Sequence, residues 1–289
     1  MTVEPEQPVQ DPLGAGPVDA ILAIDGSEAA AAVDPGGKRR ADAARLLQLL
    51  MRPGGFPMAA AIAGDLTFYT VPTGTSAGLL ARPLPGAVDY DKPFTLASGA
   101  FGAGAEPYRP KVVLVLTASD VPATYASGHL MLTRSVAGHR FPVVAIPFAA
   151  PLAAAPGLAG IARDTGGFVL PANGANAIAG DLLEAWARLH GGRRSQTTPL
   201  AGSRRKPGKA VVRGQAGKAL RIVVTWDAKP LDVSLLSPAG KPIGLQPFGR
   251  GVVAIVRKAK AGAYRLSASP KTPGSPSAVL RGALVATVG

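Results

Sequence analysis

The residues best placed to act on another molecule stand where two apolar runs end. In VDAILAIDGSEA, residues 18–29, the run after Pro17 stops at Asp25, followed by Gly26 and Ser27. In KVVLVLT, residues 111–117, a continuous Val/Leu run stops at Thr117, with Ala118, Ser119 and Asp120 behind it. Runs of this length that are apolar on both faces suit buried strands of a parallel sheet. The carboxyl ends of such strands line the crevice where ligands sit, which locates a site without fixing its chemistry.

Several chemistries are excluded. The chain has no cysteine, which removes disulfides, thiolate metal sites and a cysteine nucleophile. No G-x-S-x-G elbow occurs, and the stretch from Gly202 to Lys209 has the wrong spacing for a phosphate loop. His129, His139 and His190 have no carboxylate at a metal-ligand spacing and read as solvated surface residues. No catalytic constellation emerges.

The elements that must hold the two strand ends follow from periodicity. KRRADAARLLQLLM, residues 38–51, carries apolar residues at 43, 46, 47, 50 and 51, a helical spacing closed by Pro53-Gly54-Gly55. GDLTFYTV at 64–71 reads as a strand, with SAGLLARPL at 76–84 pairing back on it as a hairpin edge. A short helix is expected over about 94–104, a helix over about 121–137, and a strand over 141–148. GLAGIARDTGG at 157–167 predicts a helix with a glycine C-cap; FVLP at 168–171 predicts a strand, and Asn173 a cap for a final helix over 175–191. Alternating strands and helices predict a doubly wound, mostly parallel, Rossmann-like α/β sheet.

Beyond residue 191 the pattern changes. Residues 1–192 hold 13 Lys and Arg against 16 Asp and Glu, a net of −3; residues 193–289 hold 18 against 2, a net of +16. Residues 192–209 lack apolar periodicity and read as a basic linker. From 210 to 289, short β-rich runs at 218–227, 231–238, 251–258, 262–269 and 277–288, separated by Pro/Gly turns, predict an all-β sandwich. Residues 1–16, rich in proline and without an apolar core, are expected to be disordered and do not form a signal peptide. The uncharged stretch Phe141–Ala162 contains four prolines and reads as a strand, a loop and a helix start rather than a membrane span.

Residues 17–191 resemble a von Willebrand factor type A domain. The resemblance rests on the strand ending in DGSEA, the GDLTFYTV strand, the KVVLVLT strand with its polar end, and the run GLAGIARDTGGFVLPANGANAIAGDLLEAW. TWDAKPLDVSLLSPAGKPI and KAGAYRLSA resemble the sandwich modules that follow such domains in some secreted or surface proteins. The family's metal-ion-dependent adhesion site joins Asp-x-Ser-x-Ser, a distant Thr and a strand-end Asp around Mg²⁺, a hard cation that takes oxygen ligands. Asp25 and Ser27 match the first two positions, but Ala29 and Ala118 stand at the third and at the strand-end Asp. Asp120 is the substitute for the latter, and Thr95 the candidate distant Thr. The resemblance therefore implies a degenerate site that holds Mg²⁺ weakly, through Asp25 and Ser27, or not at all.

The expectation is a non-enzymatic interaction module, without a cofactor, that presents Asp25, Ser27, Thr95 and Asp120 to a protein partner. The alternative is a subunit of a larger assembly docked on an acidic protein, membrane or nucleic-acid surface through Arg193, Arg194, Arg204, Arg205, Lys206, Lys209, Arg257, Lys258 and Lys260. Sequence-specific nucleic-acid recognition is disfavoured, because Trp226 and Tyr264 sit in strand patterns as core residues. The missing signal peptide points to the cytoplasm, and the family resemblance to the cell surface.

Overall fold

The computed structural model describes residues 13–14, 16–51, 53, 55, 57–63, 66–70, 83, 101, 109–119, 141–149, 156–203, 206–227, 230–271 and 280–289. The chain forms two compact units, Met1–Ile178 and Ala179–Gly289.

The first unit is an α/β unit with one mixed sheet. Strand β1 (Asp19–Asp25) is buried along its whole length: Ala20, Ile21, Leu22, Ala23 and Ile24 are apolar, and Asp19 is paired with Arg109 at 2.9 Å. It lies between β2 (Pro57–Ala63) and β4 (Lys111–Thr117), parallel to both. Strand β5 (Val143–Pro147) adds on the far side of β4, and β6 (Phe168–Val169) on β5, also parallel. Strand β3 (Leu66–Thr70) closes the order β3-β2-β1-β4-β5-β6 as the antiparallel member. The expected doubly wound, mostly parallel sheet is present.

Helices α1 (Glu28–Val33), α2 (Lys38–Leu50) and α3 (Pro156–Thr165) accompany this sheet. Helix α3 ends as its sequence predicts. Gly166 takes a φ of 78°, its N–H donates to the Arg163 carbonyl, and the Gly167 N–H donates to the Ala162 carbonyl. That pair of bonds is a Schellman cap. Gly167 is required for a second reason, since a Cβ there would lie 1.9 Å from the Val143 carbonyl oxygen on β5.

One expectation in this unit is revised, the cap of the last helix, and one strand is added. The strand at 66–70 pairs with Pro57–Ala63. PMAAAIA carries little strand signal because alanine favours helices, so periodicity does not mark β2. The edge expected at 76–84, the helices at 94–104 and 121–137, and residues 1–12 lie outside the described residues. The last helix is preceded by a 3₁₀ turn, Ala175–Ala177, whose N-cap is Gly174 and not Asn173.

The second unit begins within α4 (Ile178–Leu189) and continues into two antiparallel sheets. One has the order β11-β12-β9-β14-β7, built from β7 (Arg193–Gly202), β9 (Leu220–Trp226), β11 (Gln246–Pro247), β12 (Gly251–Val256) and β14 (Leu280–Val288). The other has the order β10-β13-β8, built from β8 (Gly208–Gly214), β10 (Leu231–Leu236) and β13 (Gly262–Pro270). Leu220, Ile222, Val224, Leu284 and Ala286 of the first sheet share one core with Val212, Leu235, Tyr264 and Leu266 of the second, which makes the pair a sandwich. Gly180 of α4 lies against β14, where a Cβ would meet the Val285 side chain at 2.7 Å.

The expected linker at 192–209 is instead largely strand. Residues 193–202 form β7 and pair with β14 from Gly202↔Leu280 to Arg193↔Val288; β8 starts at Gly208. Along β7 exposed residues alternate with less exposed ones, as in any half-buried strand, but the inward positions are Arg194, Gln196, Thr198 and Leu200. The period of two is real and mostly polar, so a search for apolar alternation misses it. The boundary also differs from the expected 191/192, since α4 beyond its first residue belongs to the second unit.

Candidate functional site

The ends of β1 and β4 meet through one carboxylate. Strand β1 pairs with β4 up to Ile24↔Leu116, which leaves Asp25 beside Thr117 and Ala118. Asp25 Oδ1 accepts from the Ser27 backbone N–H at 2.9 Å. Its Oδ2 accepts from the Ala118 N–H at 2.8 Å and lies 3.2 Å from the Thr117 hydroxyl. Thr117 Oγ1 is also 2.8 Å from the Ser119 carbonyl and accepts from the Ser119 N–H at 3.0 Å. The Ser27 hydroxyl caps α1 by accepting from the Ala30 N–H at 3.3 Å. Asp25, Ser27, Thr117 and Ala118 are all buried, whereas Glu28 and Ala29 are exposed beside them.

A cation needs lone pairs turned toward an open position. Here both Asp25 oxygens are turned to backbone N–H donors, and Ala29 and Ala118 supply no side-chain oxygen. On the described residues this donor set does not fit an octahedral metal ion. Thr95 and Asp120, the other two expected members, lie outside the described residues. Among the described residues no three His, Asp or Glu side chains converge as a metal site.

A residue that the sequence reading missed holds the same loop from below. Arg40 on α2 is 1% exposed. Its guanidinium donates to the Asp34 carboxylate at 3.2 Å, to the Asp34 carbonyl at 3.3 Å and to the Asp25 carbonyl at 2.5 Å. The Asp34 carboxylate also accepts the Arg39 and Arg40 backbone N–H groups at 3.3 and 3.1 Å, closing the start of α2. A buried charge of this kind is tolerated only when paired and hydrogen-bonded. The spacing held a signal: Arg40 precedes Ala43, Ala44 and Leu47 by three, four and seven residues, which puts it on the buried stripe.

The basic residues singled out from the sequence fall into three groups. Arg194 faces inward, 26% exposed, with Nη2 2.6 Å from Asp181 and Nε 2.5 Å from Glu184, both on α4. It is a structural ion-pair partner and leaves the expected basic surface. Arg193, Arg257, Lys258 and Lys260 are exposed at one end of the sandwich, and Lys206 and Lys209 are exposed at the other. Arg204 and Arg205 lie outside the described residues. His190 is half-buried rather than solvated, with Nδ1 2.8 Å from the Trp186 carbonyl and its ring 4.7 Å from that indole. His129 and His139 lie outside the described residues. Trp226, Phe248 and Tyr264 are buried, as a core role for the first and last requires. Among the described residues no helix is long and apolar enough to cross a membrane.

No protein-family model and no curated protein matches the sequence. Among solved structures, the chain is similar to the pilus adhesin SpaC from Lactobacillus rhamnosus GG, at 10% identity and a TM-score of 0.48 over 93% of this chain and 39% of that one. It is similar to proximal thread matrix protein 1 from the mussel byssus, at 12% identity and a TM-score of 0.43 over 67% and 52% of the two chains. The vWF domain of the type V pili tip protein Mfa5 from Porphyromonas gingivalis aligns at 8% identity and a TM-score of 0.40, over 59% of this chain and 94% of that domain. The chain thus spans about half of the byssus protein and less than half of the adhesin.

Proposed function

We propose that the chain is a non-catalytic interaction module whose α/β unit presents the β1 and β4 ends to a protein partner without a bridging metal ion. The hydrogen bonding of Asp25 supports this reading. Its carboxylate ties the Ser27 N–H to the Ala118 N–H across the two strand ends, so its role is to fix the shape of the contact face. The exposed Glu28 and Ala29 next to that latch, on the first turn of α1, are the surface a partner would touch.

The test is capture by the immobilised intact chain from its native cells, with Mg²⁺ or with chelator, beside the variant Ala29→Arg. The reading expects the same partner with and without chelator, and its loss with Ala29→Arg, whose side chain projects from the face and leaves the core intact. Capture abolished by chelator, or unchanged by Ala29→Arg, contradicts it.

A further inference from the structure

The sandwich gathers at one end cations that are scattered in the sequence. The turn between β8 and β9 is bonded to the turn between β12 and β13: the Gly217 N–H donates to the Ala259 carbonyl at 2.9 Å, and the Ala259 N–H to the Lys218 carbonyl at 2.8 Å. Ala219 and Gly289 exchange backbone bonds of 2.7 and 3.1 Å, and Val288 pairs with Arg193, so the start of β7 reaches the same end. The turn after β10 joins them, because Gly262, at the start of β13, lies against Pro238.

These contacts place Arg193, Lys218, Lys241, Arg257, Lys258 and Lys260 around one pole, and all six are exposed. None has an ion-pair partner among the described residues. The only two acidic residues after 192 stand at the other end, Asp227 beyond the end of β9 and Asp232 near the start of β10, whose neighbour Leu231 pairs with Pro270. Around the cations Gln215, Ala216, Gly217, Ala239, Gly240 and Ala261 are exposed, all small or polar.

We propose that this pole docks on the headgroup layer of an anionic lipid bilayer. Single-stranded nucleic acid is gripped by stacking on exposed aromatics, and the tail's three aromatics are buried. A recognised peptide needs pockets for its side chains or a free strand edge, whereas five of the six cations stand on turns between strands, among small residues. A layer of phosphates asks only for several cations held on one end of a rigid body, each drawn to the negative surface within a Debye length. That is what the four segments assemble. This surface is separate from the strand-end face, so either proposal stands if the other fails.

The experiment is co-sedimentation of the intact chain with phosphatidylcholine vesicles containing about one-third phosphatidylglycerol, against pure phosphatidylcholine, at low and high salt. The account expects binding to the anionic vesicles alone, weakening by roughly tenfold or more as salt rises. Lys218→Glu/Lys258→Glu/Lys260→Glu should lower binding about tenfold, and the milder Gln triple variant several-fold in the same direction. Lys206→Glu/Lys209→Glu/Lys271→Glu makes the same change in net charge at the opposite end and should leave binding within about twofold. Equal losses from the two Glu triples, binding to neutral vesicles, or binding to polyglutamate or single-stranded DNA with none to anionic vesicles would overturn it.

Discussion

The strand-end face of the α/β unit and the basic pole of the sandwich put polar groups to opposite uses. At the first, Asp25 is hydrogen-bonded to Ser27, Thr117 and the backbone of Ala118, the Ser27 hydroxyl caps α1, and Arg40 is buried beneath them. At the second, Lys218, Lys241, Lys258 and Lys260 face solvent and are brought together by backbone bonds between turns and by the packing of Gly262 against Pro238. Buried polar groups set shape and carry stability, because leaving one unpaired costs its full desolvation. Exposed charges carry almost no stability and remain free for a partner. Residues of one type therefore do different work: Arg40 and Arg194 build the fold, while Arg257 advertises charge.

The largest expected effect tests the buried side of that contrast. Arg40→Met leaves the buried Asp34 carboxylate without its guanidinium and frees the Asp25 carbonyl, so it should destabilise the chain by about 3–5 kcal/mol, read as a lowered urea midpoint by circular dichroism. Asp25→Ala strands the Ser27 and Ala118 N–H donors and should cost about 2–4 kcal/mol by the same measurement. Arg194→Met should cost roughly 2 kcal/mol, less than Arg40→Met because the side chain is partly solvated. Tryptophan fluorescence suits that variant, since both tryptophans, Trp186 and Trp226, belong to the second unit. At the bottom of the scale, Arg257→Gln/Lys258→Gln should change stability by no more than about 0.5 kcal/mol. A large loss there would break the contrast.

What the sequence reveals follows the same division. Strands β1, β4 and β5 and helix α2 are legible because continuous or helically spaced apolar residues mark them. Strand β2 is not, because an alanine run lacks β-branched side chains. Strand β7 hides because its inward face is held by Arg194 bonded to Asp181 and Glu184, and by Gln196 bonded to Thr198. Of the candidate site, Asp25 and Ser27 are legible as strand-end residues, but the donors that occupy Asp25 come from the backbone, which every residue shares. The basic pole is visible in sequence only as a charge excess, because its grouping depends on which turns the sandwich brings to one end.

The central claim is that the strand-end face closes on itself without a cation, and thermal unfolding with and without Mg²⁺ tests it most directly. A site with a dissociation constant of even about 1 mM would add about 1.4 kcal/mol at about 10 mM Mg²⁺. For a unit of this size that would raise Tm by roughly 3–6 °C. The account predicts the same Tm, within about 1 °C, in about 10 mM Mg²⁺ and in chelator at matched ionic strength. A rise in Tm with Mg²⁺ that vanishes in Asp25→Ala would contradict it.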